Sequence, residues 1–205
     1  MKGAVRPKSF FLGQYDLNYT CEILYYARER QEAHALREAF PLSLRDALRS
    51  DYRSLALAGY CRRLMDELAP IGEECRDWFA LLNATLDRLA QRLVKGCECA
   101  GGLVGEMVRF DLETLRLSGL SPDFSKYDRD EAWSSFWTGT GSFGSAGGGR
   151  QVRVAKEVAE FLRNPSLNQK DSKIPLDAAR VIGVFYQFHL DCASDVRRMV
   201  VKLIS

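Results

Sequence analysis

The chain has 205 residues, 46% of them hydrophobic and 27% charged, with a formal net charge of +2. That composition excludes wholesale disorder and gives length enough for one sizeable core, while so small a net charge demands no anionic partner. No apolar run reaches the ~18–20 residues of a bilayer span, and MKGAVRPKSFFLGQYDL lacks a continuous apolar core of signal-peptide length, so a cytoplasmic protein without membrane contact is expected.

Residues 1–15 carry Gly3, Pro7 and Gly13 around Phe10, Phe11 and Leu12, which reads as an N-terminal arm. A first helix is expected over 16–39, capped by Asp16 or Asn18, with Leu17, Cys21, Leu24 and Tyr25 on one side. Pro41 ends it. Ser43 and Asp46 have the spacing of a capping box and open a short helix. Another follows from about Asp51 to Leu68, striped by Leu57, Cys61, Leu64, Met65 and Leu68.

Glu73 to Gly96 has the strongest pattern. Cys75, Phe79, Leu82, Leu86, Leu89 and Leu93 share one helical stripe, widened by Trp78, Leu81 and Val94. Glu73, Glu74 and Asp77 suit the positive end of the helix dipole, and Arg88, Arg92 and Lys95 the negative end. The segment reads as the main helix of a bundle, and its stripe could also form a homodimer seam.

Leu103 to Leu117 is a fourth helix. Trp133, Phe136 and Trp137 fall at i, i+3 and i+4, the spacing of one face of a helical turn. Bracketed by serine and glycine, they suit interface anchors better than core. Residues 139–149 hold six of the sixteen glycines and read as a flexible linker or lid. A helix is expected over Arg150–Leu162, with a brief extended start at 151–154. After the break at Asn164 and Pro165, a last long helix runs from Pro175 to about Leu203.

The expected fold is therefore mostly α: a single-domain helical bundle of about five to seven helices with a Gly-rich loop. Residues 16–138 form the bundle core, 139–149 the loop, and 150–205 the C-terminal helices that complete the bundle.

The basic residues are lopsided, 21 Arg to 8 Lys. Arg45, Arg49 and Arg53 follow at i, i+4 and i+8, with Arg62 and Arg63 further on and Tyr52 and Tyr60 nearby. On a continuous helix this is a phosphate-reading face for DNA or RNA. Gly139-Thr-Gly-Ser-Phe-Gly144 fits G-x-G-x-x-G and resembles the glycine-rich loop of protein kinases, as VRVAKE resembles their lysine-bearing strand. No H-R-D or D-F-G follows, and a dinucleotide site needs a strand before the motif and a helix opening at it. Arg28 and His34 match Arg-x(4–6)-His, which resembles HEPN ribonucleases. That likeness implies an all-α fold and an RNA-cleaving cleft at a dimer interface.

Cys97 and Cys99 could offer two thiolates, but a tetrahedral zinc site needs two more ligands. The two histidines, His34 and His189, have no ligand-spaced companion. His189 lies on an apolar face and reads as a core histidine satisfied by a hydrogen bond. The remaining cysteines read as reduced, with Cys21, Cys61 and Cys75 on apolar stripes. No catalytic residue, metal or cofactor is assigned. The leading expectation is a non-catalytic binding protein (adaptor, inhibitor or complex subunit) that meets a protein partner through Trp133, Phe136 and Trp137. A helical nucleic-acid-binding regulator comes second and a HEPN-like ribonuclease third.

Overall fold

The computed structural model describes residues 16–27, 34–96, 100–128, 130–144, 147–165, 173–190 and 194–205. The chain divides at Asp46 into two units, the second running from Ala47 to Ser205. The division falls inside the 16–138 segment.

The first unit corrects the expected helix over 16–39. Its described part is an antiparallel hairpin, β1 (Thr20–Tyr26) on β2 (Ala35–Ser43), with irregular register at Thr20/Cys21 and Leu24/Tyr25. Thr-Cys-Glu-Ile-Leu-Tyr-Tyr is rich in β-branched and aromatic residues. Apolar side chains on both faces hide the period of two that would have marked a strand. Pro41 sits within β2, where an edge strand tolerates its missing N–H. Beyond β2, Arg45 adopts a left-handed φ of 51°. Its Nη1 donates to the Asn18 carbonyl at 2.9 Å and to Thr20 Oγ1 at 2.8 Å, which fastens the base of the hairpin.

In the second unit a 3-10 turn (Asp46–Ser50) leads to α1 (Tyr52–Leu68), α2 (Arg76–Val94) and α3 (Ala100–Leu117). Asp51 caps α1, accepting from the Ser54 amide at 2.9 Å and the Arg53 amide at 3.3 Å. Gly96 follows α2 at φ 68°, the left-handed position expected of it, and donates to the Leu93 carbonyl at 3.0 Å. Next come β3 (Trp133–Trp137), β4 (Ser142–Phe143), β5 (Gln151–Ala155) and α4 (Lys156–Arg163). The extended start expected at 151–154 is thus a strand. One continuous C-terminal helix is not formed; α5 (Lys173–His189) and α6 (Ser194–Ile204) replace it. The protein is mostly α, six helices with two small antiparallel sheets among the described residues, and not a pure helical bundle.

The centre of the second unit is α3, not α2. It packs against α1, α2, α5 and α6, burying Val104, Met107, Val108, Phe110 and Leu115. The stripe of α2 is rotated from the expected one. Trp78, Leu86 and Leu89 are buried, whereas Phe79 is 59% and Val94 79% exposed. A β4-β3-β5 sheet lies beyond α3 in sequence and contributes Phe136, Phe143 and Val154 to the same core. No helix among the described residues is long and apolar enough to cross a membrane.

Candidate interaction surface

Residues 133–137 form a strand, so side chains alternate between faces and the expected helical turn is corrected. Phe136 points inward and is fully buried, stacked on Phe124 at 5.2 Å and edge-on to Phe143 at 5.5 Å between centroids. Full burial of such a ring is worth about 1.5–3 kcal/mol; Phe136 is core, not an anchor. Trp133, Ser135 and Trp137 share the opposite face. Trp133 is half exposed, and the Arg153 guanidinium on β5 lies 5.5 Å from its ring, a cation–π pair. Gln151 Nε2 donates to Ser135 Oγ at 2.8 Å, and Trp137 Nε1 to the Gly144 carbonyl at 3.0 Å. What remains outside is one free indole face, a guanidinium and an amide.

The glycine-rich loop is packed in its described residues, not a free linker or lid. The amides of Gly139, Gly141 and Gly144 donate to the carbonyls of Gly148, Trp137 and Ser135 at 2.7, 2.9 and 3.1 Å. These are the three glycines of the G-x-G-x-x-G match, so their N–H groups are not aimed at a phosphate. The Gly147 backbone lies so close to Trp137 that a Cβ there would come within 2.5 Å of the indole. His189 closes the other side. Its Nε2 donates to the Thr138 carbonyl at 2.7 Å and its ring packs on Phe185 at 4.3 Å, so the histidine is satisfied by a hydrogen bond while only partly buried.

The arginines do not form the expected line. Arg45 belongs to the hairpin base, Arg49 to the 3-10 turn and Arg53 to α1, with the Asp51 cap breaking the helix between the last two. Arg62 and Arg63 follow on α1. Arg63 pairs with Glu67 at 2.5 Å, whereas Arg62 Nε is buried without a hydrogen-bond partner. Arg28, Cys97 and Cys99 lie outside the described residues. His34 stands just before β2 and stacks on Tyr25 at 5.3 Å. The ribonuclease likeness implies an all-α fold, whereas the described residues on either side of 28–33 form a hairpin. Among the described residues no group of three or more His, Cys, Asp or Glu is placed to hold a metal ion, and Cys61 and Cys75 are free thiols.

Among the described residues the hairpin carries the largest run of exposed apolar side chains. Ile23, Leu24, Tyr25, Tyr26, Phe40 and Leu42 are all exposed, from 45% for Leu24 to 67% for Leu42. They stand on both strands and both faces. The Arg37 guanidinium lies 5.9 Å from the Tyr26 ring.

One buried cluster is not foreshadowed by any local sequence motif. Asp111 on α3 is fully buried and binds three other elements. Its Oδ1 accepts from the Tyr60 hydroxyl of α1 at 2.7 Å. Its Oδ2 accepts from Arg197 Nε at 3.0 Å and Nη2 at 2.8 Å, from α6. Its backbone carbonyl accepts from the Tyr186 hydroxyl of α5 at 3.1 Å. Burial pushes the Asp111 carboxyl up, while the Arg197 charge and the bonds from Tyr60 and Arg197 pull it back. Burial opposes the Arg197 cation too, but the Asp111 carboxylate outweighs that and leaves it above its ordinary value. Burial, then the Asp111 charge, lifts the Tyr60 hydroxyl well above the usual tyrosine value. The available signal was an aspartate inside the apolar stripe of the fourth helix, beside Val108, Leu112 and Leu115.

No protein-family model matches this chain, and no curated protein matches it significantly in sequence.

Proposed function

We propose that this protein is a non-catalytic binding protein that works through protein–protein contacts, with the hairpin as its main contact surface and Trp133 as a second anchor. The observation that carries the reading is the exposure of apolar side chains on both faces of a two-stranded hairpin. Two strands alone are marginally stable in water, and exposed apolar patches of this kind mark interaction sites. Open strand edges add a row of backbone donors and acceptors that a partner strand can complete. The test is affinity capture with the intact protein and with Ile23→Lys/Tyr26→Lys/Leu42→Lys. The triple variant should lose specific partners while the melting of the helical unit stays unchanged. Capture of the same proteins by both would refute the reading.

A second reading, nucleic-acid binding, draws support from the hairpin rather than from the arginine line. Exposed Tyr25 and Tyr26, with His34 against Tyr25 and Arg37 (itself paired with Glu38 at 3.1 Å) over Tyr26, combine stacking surfaces with one guanidinium, the ingredients of single-strand recognition. Fluorescence anisotropy with short DNA and RNA, at low and physiological salt, tests it. Arg37→Glu should weaken binding and flatten its salt dependence; no binding at either salt removes this reading.

A further inference from the structure

The groove between α5 and α6 has no role in either reading. It encloses about 440 Å³, within the roughly 300–1,000 Å³ of small-ligand pockets. Its apolar surface comes from Leu176, Ala179 and Val184 of α5 and Val201 of α6. Its charged lining among the described residues is one-sided: Arg180, Arg197, Arg198 and Lys202 face it, and no described acidic side chain does. Arg180 and Arg198 each pair with an acid outside the lining, Asp177 and Asp195.

Arg197 makes this more than an apolar cleft. It is only 5% exposed, and Nε and Nη2 are spent on Asp111. Nη1 makes no hydrogen bond with the described residues. Arg197 is one of the residues lining the groove, and its Nη1 abuts Gly183 there: a Cβ on Gly183 would stand 2.6 Å from Nη1. The missing side chain leaves room for the guanidinium edge. A charged donor held rigidly by a buried carboxylate, at the wall of an apolar groove, is preorganised for an anion. The apolar surface beside it calls for an apolar body on the same molecule.

We propose that the α5–α6 groove binds a small amphipathic carboxylate, with its apolar body along Leu176, Ala179, Val184 and Val201 and its anionic end at Arg197 Nη1 and the cationic rim. With Nε and Nη2 already occupied, the carboxylate meets one nitrogen end-on and cannot form the two-nitrogen fork.

Titration calorimetry on the full chain tests this with decanoate, acetate and decyltrimethylammonium. Decanoate should bind once per chain. Acetate should bind far more weakly, since each buried methylene contributes about fourfold in affinity. The cation should not compete. Arg198→Glu/Lys202→Glu alters only exposed rim residues and should weaken decanoate about tenfold or more with an unchanged circular dichroism spectrum. Gly183→Ala, which pushes Nη1 aside, should weaken it as well; if that variant unfolds, the rim variant decides. No decanoate binding at millimolar concentration would overturn the proposal. So would equal binding of the cationic analogue, or unchanged affinity in the rim variant.

Discussion

Removal of the Asp111 carboxylate tests whether the buried cluster holds the helical unit together. In Asp111→Ala the Arg197 guanidinium loses its counter-charge while only 5% exposed. Breaking a buried pair from one side costs about 3–5 kcal/mol, because the remaining charge stays desolvated. The Tyr60 hydroxyl, bonded at 2.7 Å, also loses its acceptor, a further ~1–3 kcal/mol when measured alone. The two losses share one site, so we expect about 4–6 kcal/mol in total and not the full sum. For a unit of this size each kcal/mol lowers Tm by about 2–4 °C, which gives a drop of about 8–24 °C by the same scaling. Urea titration followed by circular dichroism reads it. The companion variant Asp111→Leu/Arg197→Met replaces the pair by apolar groups and should recover most of the loss. A loss below about 1 kcal/mol in Asp111→Ala would refute the reasoning, as would a double variant no more stable than the single.

Burial alone would raise the Asp51 carboxyl, but bonds from Ser54 and Arg53 outweigh it and hold it below the usual range. A folded value below the unfolded one means stabilisation present above about pH 3.9 and lost as pH falls through the folded value. Asp51→Ala should therefore cost about 1 kcal/mol at neutral pH and progressively less in acid; a cost independent of pH would contradict the cap. Gly139→Ala places a Cβ 2.4 Å from the Gly148 backbone, so denaturant melts should show destabilisation of about 1–3 kcal/mol, against none for a free linker. Trp133→Ala should leave the fold within about 0.5–1 kcal/mol, since half the ring is already in water, whereas Phe136→Ala should cost about 3–5 kcal/mol; equal costs would reverse the assignment of faces. If α2 forms a homodimer seam, Phe79→Glu should convert a dimer to a monomer in sedimentation equilibrium, because the exposed Phe79 is what a second copy would cover.

The helices α1, α2 and α3 were legible because each carries a long apolar stripe and a recognisable end, Asp51 before α1 and Gly96 after α2. The centrality of α3 was not legible. It depends on how many neighbours a helix meets, and α2 shows the stronger heptad pattern while leaving Phe79 in water. The hairpin was missed because Leu17, Cys21, Leu24 and Tyr25 happen to fall at helical spacing, and its apolar residues on both faces erase the strand alternation. The aromatic strand β3 was missed for a related reason. Its pairing partner β5 begins fourteen residues after β3 ends, beyond the reach of a local pattern. In the candidate surface the strand leaves Trp133 and Trp137 on one face with Ser135 between them and turns Phe136 to the other.

The placement of polar groups bears on how this protein can act. In the helical unit the most buried charges, Asp111 and Arg197, bind α1, α3, α5 and α6 to one another. A carboxylate with both oxygens engaged at 2.7–3.0 Å would have to break structural bonds before taking a proton from a substrate. His189 is likewise committed to the Thr138 carbonyl, where it fixes the glycine loop. Among the described residues, the exposed face of Trp133 and the apolar hairpin side chains are groups of another kind. None of these changes bonding state in order to act; each offers area, charge or a hydrogen bond to something that arrives. That is the chemistry the proposed binding role would use.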